Sequence, residues 1–164
     1  MRSASLALAD RMALRPATES DLAFLTVLRR ETMWEHFENS GYPIDETDQL
    51  NRVLHRFACA RIITLRGEDI GLLKIDRDCE PWELIQIQLL PGYQRQGLGK
   101  ALLDQFLAEA KAARKSVVLG VLRANPARRL YERLGFRVIG QTDIAYQMRF
   151  DPELDLQPTP WSCE

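Results

Sequence analysis

The chain has 164 residues, 46% hydrophobic and 27% charged, the balance expected of one soluble globular domain large enough to bury a core. A net charge of -1 argues against the broad basic footprint of a nucleic-acid binder. Cys59, Cys79 and Cys163 are odd in number and widely spaced, which argues against a disulfide framework or a zinc site, and no apolar run nears the ~18 residues of a membrane span; the expected setting is a reducing cytoplasm.

Residues 1–11 read as an N-terminal arm, in which the run Leu6-Ala7-Leu8-Ala9 is cut off by Asp10 and Arg11 before signal-peptide length. A first strand over 12–15 ends at Pro16. Thr18 or Ser20 then caps a helix whose apolar face is Leu22, Leu25 and Leu28, with Glu19 and Asp21 suited to its first turn. A second helical stretch is expected over 32–39, stopping before Gly41 and Pro43, and a third over 47–58 with Leu50, Val53, Leu54 and Phe57 on one face.

The period then changes, and 60–65, 70–76 and 82–90 read as strands, the first two joined by a turn at Gly67-Glu68-Asp69. From Leu98, the apolar positions Leu102, Phe106 and Ala110 recur every fourth residue beside Leu103 and Leu107, giving one helix to about residue 114. An apolar strand over 116–122 reads as central, a short helix starts at Asn125 and ends at Gly135, and strands over 136–141 and 144–150 close a domain spanning 12–150. Residues 151–164, with Pro152, Pro158 and Pro160, read as a tail without regular structure. This order predicts an α/β (α+β) fold: a mixed sheet of about seven strands with helices on both faces.

Between the third of those strands and the long helix stands Gln94-Arg95-Gln96-Gly97-Leu98-Gly99, followed by Lys100. A glycine-rich turn at a helix start exposes N–H groups that have no helical partner, and the helix dipole adds positive charge, so the segment suits a phosphate. Two common phosphate motifs do not fit: a P-loop would need Gly at Gln94 and Ser or Thr at Ala101, and a dinucleotide fingerprint would need Gly at Leu102.

The segment resembles the acetyl-coenzyme A turn of the GCN5-related N-acetyltransferases, Gln/Arg-x-x-Gly-x-Gly/Ala. Its lead-in, Leu89-Leu90-Pro91-Gly92-Tyr93, is similar to that family's Val-x-Pro-x-Tyr. A second block about 30 residues on, from Asn125 through Leu130-Tyr131-Glu132-Arg133-Leu134-Gly135-Phe136, resembles its Asn...Leu-Tyr-Glu-x-Leu-Gly-Phe signature. The resemblance implies a mostly antiparallel sheet whose fourth and fifth strands splay to admit the cofactor. It implies acetyl-coenzyme A as co-substrate, with the pyrophosphate on Gln94, Arg95, Gln96, Gly97, Leu98, Gly99 and Lys100 and the pantetheine arm beside Ile87 and Leu89. The N–H near Leu89 would polarise the thioester. Asn125 and Arg129 belong to the same expected cofactor set, with no metal.

Tyr131 occupies the family's tyrosine position, where a phenol meets the departing sulfur; its other reading is half-buried packing. Asn125, six residues before Tyr131 where the family has seven, is also what a helix start with Pro126 prefers. The resemblance also implies a general base at Glu83, six residues before Leu89 where some members of that family place a glutamate, with Glu35 and His36 as alternatives and a solvated strand-edge carboxylate as its plain reading. His36 and His55 lack metal-ligand spacing.

From Glu31 to Asn51 the chain carries Glu31, Glu35, Glu38, Asp45, Glu46 and Asp48 but no Lys or Arg, an acidic patch that would attract a cationic amine or else form a solvated helix face. Trp34, Glu35 and Phe37 are the expected acceptor contacts, with Met33 and Tyr42 beside them; the other reading of Met33, Trp34, Phe37 and Tyr42 is plain core packing. The implied partner is a small-molecule or peptide amine, with no nucleic acid or membrane, and the closing strands suit a homodimer. A non-catalytic acyl-coenzyme A-binding domain would keep the same turn, and the acceptor's identity stays open at this level.

Overall fold

The computed structural model describes residues 11–41 and 43–152. The expected arm and tail, Cys163 and Tyr42 lie outside the described residues, apart from Arg11, Asp151 and Pro152. In chain order the elements are β1 (Met12–Pro16), α1 (Leu22–Asn39), α2 (Glu46–Leu54), β2 (Ala60–Leu65), β3 (Glu68–Asp76), β4 (Trp82–Leu89), α3 (Leu98–Ala113), β5 (Val117–Leu122), α4 (Ala127–Arg133), β6 (Arg137–Gln141) and β7 (Ala145–Phe150). They form one seven-stranded sheet in the order β1-β2-β3-β4-β5-β7-β6. Every neighbouring pair is antiparallel except β4 and β5.

Helices cover both faces because each carries an apolar stripe of helical period. On one face Leu25, Leu28 and Val53 of α1 and α2 pack on Ile62 and Leu72. On the other, Leu98, Leu102, Leu103, Phe106, Leu107 and Ala110 of α3 join Tyr131 and Phe136 over Ile63, Ile70, Leu73 and Leu119. Each Leu, Ile, Val or Phe side chain among them, taken from water, contributes about 1.5–3 kcal/mol. Among the described residues no helix is long and apolar enough to cross a membrane.

Three local expectations change. The two stretches expected before residue 40 are one helix, α1, because no Gly or Pro interrupts 22–39 and Thr32 turns its hydroxyl inward to the carbonyl of Leu28 at 2.7 Å. The next helix ends at Leu54 rather than at residue 58, leaving Leu50 and Leu54 exposed. Its end is fixed by Lys74, a fully buried lysine in β3 whose Nζ donates to the carbonyls of Arg52, Val53 and His55 at 3.3, 2.9 and 2.7 Å, and Arg56 then turns left-handed at φ 47°. The β2–β3 turn falls on Arg66 and Gly67, both at positive φ, one residue earlier than expected.

Candidate functional site

β4 and β5 pair over only three residues, Trp82, Glu83 and Leu84 against Val117, Val118 and Leu119, and then part. The cause is visible in β4's other partner. Gln86 faces Lys74 and Leu84 faces Ile75, so Ile85 is an extra residue, a bulge that bends β4 just where the pairing with β5 stops. The opening is a cleft of about 280 Å³ lined by residues 84–88 of β4, residues 119–122 of β5, Asn125, Tyr131, and Arg29, Met33, Phe37 and Arg52 from the helices over the sheet. Beyond the bulge the Leu90 N–H donates to the Ile70 carbonyl at 2.8 Å. Antiparallel alternation therefore turns the N–H groups of Ile87 and Leu89 away from β3, toward the opening.

Past the end of β4 the glycine turn wraps back on itself. The Gln94 side-chain amide donates to the Leu89 carbonyl at 2.8 Å and that of Gln96 to the Gly92 carbonyl at 3.0 Å. Arg95 and Gly97 take left-handed backbone at φ 62° and 78°. Gly97 is the N-cap of α3 and no side chain caps that helix, so its first N–H groups face outward with the helix dipole behind them. Gly99 is ordinary helix, where an added Cβ would come no closer than 3.8 Å to Leu89, so only Gly97 needs glycine's conformational freedom. Arg95 and Lys100 are exposed, Lys100 pairing with Asp104 at 2.6 Å, while Leu98 anchors the turn in the core at 1% exposure.

Tyr131 is held from its own backbone. The N–H of Phe136 donates to the Tyr131 carbonyl and that of Gly135 to the Glu132 carbonyl, a Schellman closure that needs Gly135 at φ 105°. Tyr131 lines the cleft, and burial pushes its phenol up to about 12. Asn125 lines the cleft too, its Oδ1 accepting from the Ala127 N–H at 2.9 Å at the start of α4. Arg129 is exposed on α4 and does not line the cleft.

Of the expected acceptor contacts only Phe37 reaches the cleft. Arg29, Met33 and Phe37 recur every fourth residue on one face of α1, which turns Trp34 and Glu35 away; Trp34 lies under the Arg30 guanidinium at 5.4 Å, and Glu35 is exposed. Glu83 is not in the lining either, and its carboxylate is paired with Arg56. The acidic stretch is mostly structural or solvated: Glu31, Glu35 and Glu38 are exposed, Asp45 caps α2 through the Thr47 N–H at 2.9 Å, Glu46 pairs with Arg30 and Asp48 with Arg52.

What the cleft holds instead is Arg29 and Arg52, neither foreseen. Arg29 is 4% exposed, its Nε donating to Gln49 Oε1 at 2.5 Å, and both guanidinium groups lie over the Phe37 ring, at 5.6 and 5.1 Å. The signal was present in the sequence: position 29 falls on the same stripe as Leu22, Leu25 and Leu28, where a charge is out of place.

Residues 55–138, about half of the chain, match the GNAT acetyltransferase domain. Among curated proteins no sequence matches significantly. Solved structures share the fold. A PaiA N-acetyltransferase from Thermoplasma acidophilum in complex with coenzyme A has a TM-score of 0.65 at 19% identity, over 85% of this chain and 98% of that one. The ribosomal-protein-S18-alanine N-acetyltransferase from Escherichia coli has a TM-score of 0.63 at 21% identity, over 92% and 99%. An acetyltransferase from Thermus thermophilus has a TM-score of 0.65 at 21% identity, over 85% and 96%. Parted strands beside an uncapped glycine turn are thus found in a chain that belongs to the GNAT acetyltransferase family.

Proposed function

We propose that this protein moves an acetyl group from acetyl-coenzyme A to a primary amine of a small molecule or peptide by direct attack on the thioester. The observation that carries the reading is the parting of β4 and β5 after Leu84 and Leu119, with Tyr131 on the cleft and the uncapped start of α3 beside it. Uncapped N–H groups at a positive-φ glycine fit a pyrophosphate, and the open β4 edge fits an extended amide-bearing arm. Acetyl-coenzyme A, when bound, supplies the activated acetyl group.

The N–H of Leu89 polarises the acyl carbonyl, a role that can contribute on the order of 3 kcal/mol, and that of Ile87, about 7 Å back along the strand, pairs with the amide-bearing arm. The amine nitrogen forms the new C–N bond as the C–S bond breaks, leaving one proton to be lost from nitrogen and one to be gained by sulfur. A phenol near 12 stays protonated at neutral pH, yet full transfer to a thiolate of ordinary pKa about 8.5 would run uphill by about 5 kcal/mol. Tyr131 therefore acts as a hydrogen-bond donor to the departing sulfur, whose proton arrives from solvent. Among the described residues no carboxylate lines the cleft, so the amine's proton leaves through water.

The test is a thermal-shift series with acetyl-coenzyme A followed by a thiol-release assay over a panel of amines. A concentration-dependent rise in Tm with turnover of at least one amine supports the reading. A rise without turnover converts the protein into an acyl-coenzyme A-binding domain, and no rise removes the reading altogether.

A further inference from the structure

Resting on the acetyl-transfer reading, we propose that the acceptor amine also carries a carboxylate, bound by Arg29 with Arg52 on the α1–α2 side of the cleft. The argument starts from charge. Arg29 is almost wholly removed from water, and among the described residues it forms no ion pair. Its Nε is taken by Gln49, which leaves the two Nη groups as the unused end of a planar fork, the geometry that grips a carboxylate with two parallel hydrogen bonds.

Its neighbours sharpen the demand for an anion. Arg52 shares the Phe37 ring with it, and Lys74 is fully buried behind them. The charge of Arg52, after burial, lowers Arg29 to about 10, and that of Arg29, after burial, lowers Lys74 to about 8. Against three cations stands Asp48, already paired with Arg52 at 3.1 Å. A guanidinium removed from water and left uncompensated is costly, and an incoming carboxylate relieves that cost.

The same cleft offers the complementary group. Gln86 donates its Nε2 to the Arg52 carbonyl at 3.4 Å, which directs its Oε1 elsewhere, and that oxygen is buried without a hydrogen-bond partner. An ammonium or amine N–H is the donor it lacks. The Arg29 fork for an anion and an open acceptor for an N–H, in a cleft of about 280 Å³ that must also admit the acyl group, describe an acceptor of amino-acid size rather than a polyamine or a folded protein. Arg29 and Arg52 both lie outside residues 55–138, so family likeness in that segment does not bear on them.

The experiment compares matched acceptors at saturating acetyl-coenzyme A: leucine with isopentylamine, phenylalanine with phenethylamine, and spermidine, with an aminophosphonate to separate carboxylate from other anions. The expected result is a kcat/KM about 100-fold higher for the carboxylate member of each pair, with spermidine lowest. In Arg29→Gln that ratio collapses toward unity through KM for the amino acid, while KM for acetyl-coenzyme A is unmoved. Arg52→Gln, at a half-exposed site that tolerates change, must lower the same ratio should Arg29→Gln not fold. Equal or better turnover of the decarboxylated amines, or of spermidine, overturns this proposal and leaves acetyl transfer standing. Preference for the phosphonate overturns the carboxylate assignment, and silence of the panel where a peptide amine turns over overturns this proposal alone, whereas silence toward peptide amines as well removes both readings.

Discussion

The Phe136 N–H donates to the Tyr131 carbonyl at 3.0 Å while the two rings meet edge to face at 5.8 Å, so the residue that closes α4 also sets the direction of the phenol. Tyr131→Phe keeps both contacts and removes only the hydroxyl. A lost hydrogen bond to a charged sulfur predicts a fall in kcat of about 10- to 100-fold with little change in KM for acetyl-coenzyme A. Because burial raises the phenol to about 12, kcat of the native enzyme shows no limb from Tyr131 up to about pH 10. Thiol release followed from neutral to alkaline pH measures both effects.

Gly97 and Gly99 separate cleanly. Gly99 sits in helical backbone with room for a methyl group on the protein side, so Gly99→Ala raises the Tm of the free protein by about 2–4 °C. Under the proposed binding mode the same methyl meets the diphosphate at the start of α3, and acetyl-coenzyme A binding weakens by about 10-fold or more. Gly97→Ala strains a residue at φ 78° and lowers both. Thermal scans with and without acetyl-coenzyme A distinguish the two sites.

Glu83 is engaged by Arg56 outside the cleft lining, so Glu83→Gln changes kcat/KM by less than about threefold between pH 6 and 9. A dedicated general base would cost about 100-fold or more on the same substitution. Such a loss in the pH–rate profile would reinstate the carboxylate.

Asp21 steers the chain into α1, the helix that carries Arg29 and Phe37. Arg15 grips its carboxylate at 2.8 and 2.9 Å and the Thr18 N–H adds a bond at 2.8 Å, holding it at about 2 against an ordinary 3.8. The folded value lies below the unfolded one, so this stability is present above pH 3.8 and is lost as pH falls through 2. Asp21→Asn therefore costs about 1–2 kcal/mol at pH 7 and nothing below pH 2, readable as converging denaturant midpoints.

The glycine turn and the helix end at Tyr131 were legible in the sequence because each is built from neighbours along the chain. A strand, a glycine turn and the first turn of α3 follow one another directly, and Tyr131, Gly135 and Phe136 lie within a single helix end. There the residues stand close enough together to carry the resemblance that named the fold family. The α1–α2 side of the cleft joins residues far apart in sequence. Arg29 reaches Gln49 across 20 residues and Lys74 reaches Val53 across 21, and the parity of β4 changes at a bulge that only its register against β3 reveals.

An acidic stretch could thus be read correctly as acidic and still be placed wrongly with respect to the cleft. The charges along 31–51 turn to solvent, cap α2 or pair with arginines, and what faces the opening is Arg29 and Arg52 over Phe37. The period of α3 and the glycine turn before it are properties of a segment, so the amino-acid order determined them alone, whereas the end of α2 waited on Lys74 of β3. Which face looks into the cleft, and therefore its sign of charge, was decided only when the helices packed on the sheet, because burial and electrostatic field belong to the whole arrangement.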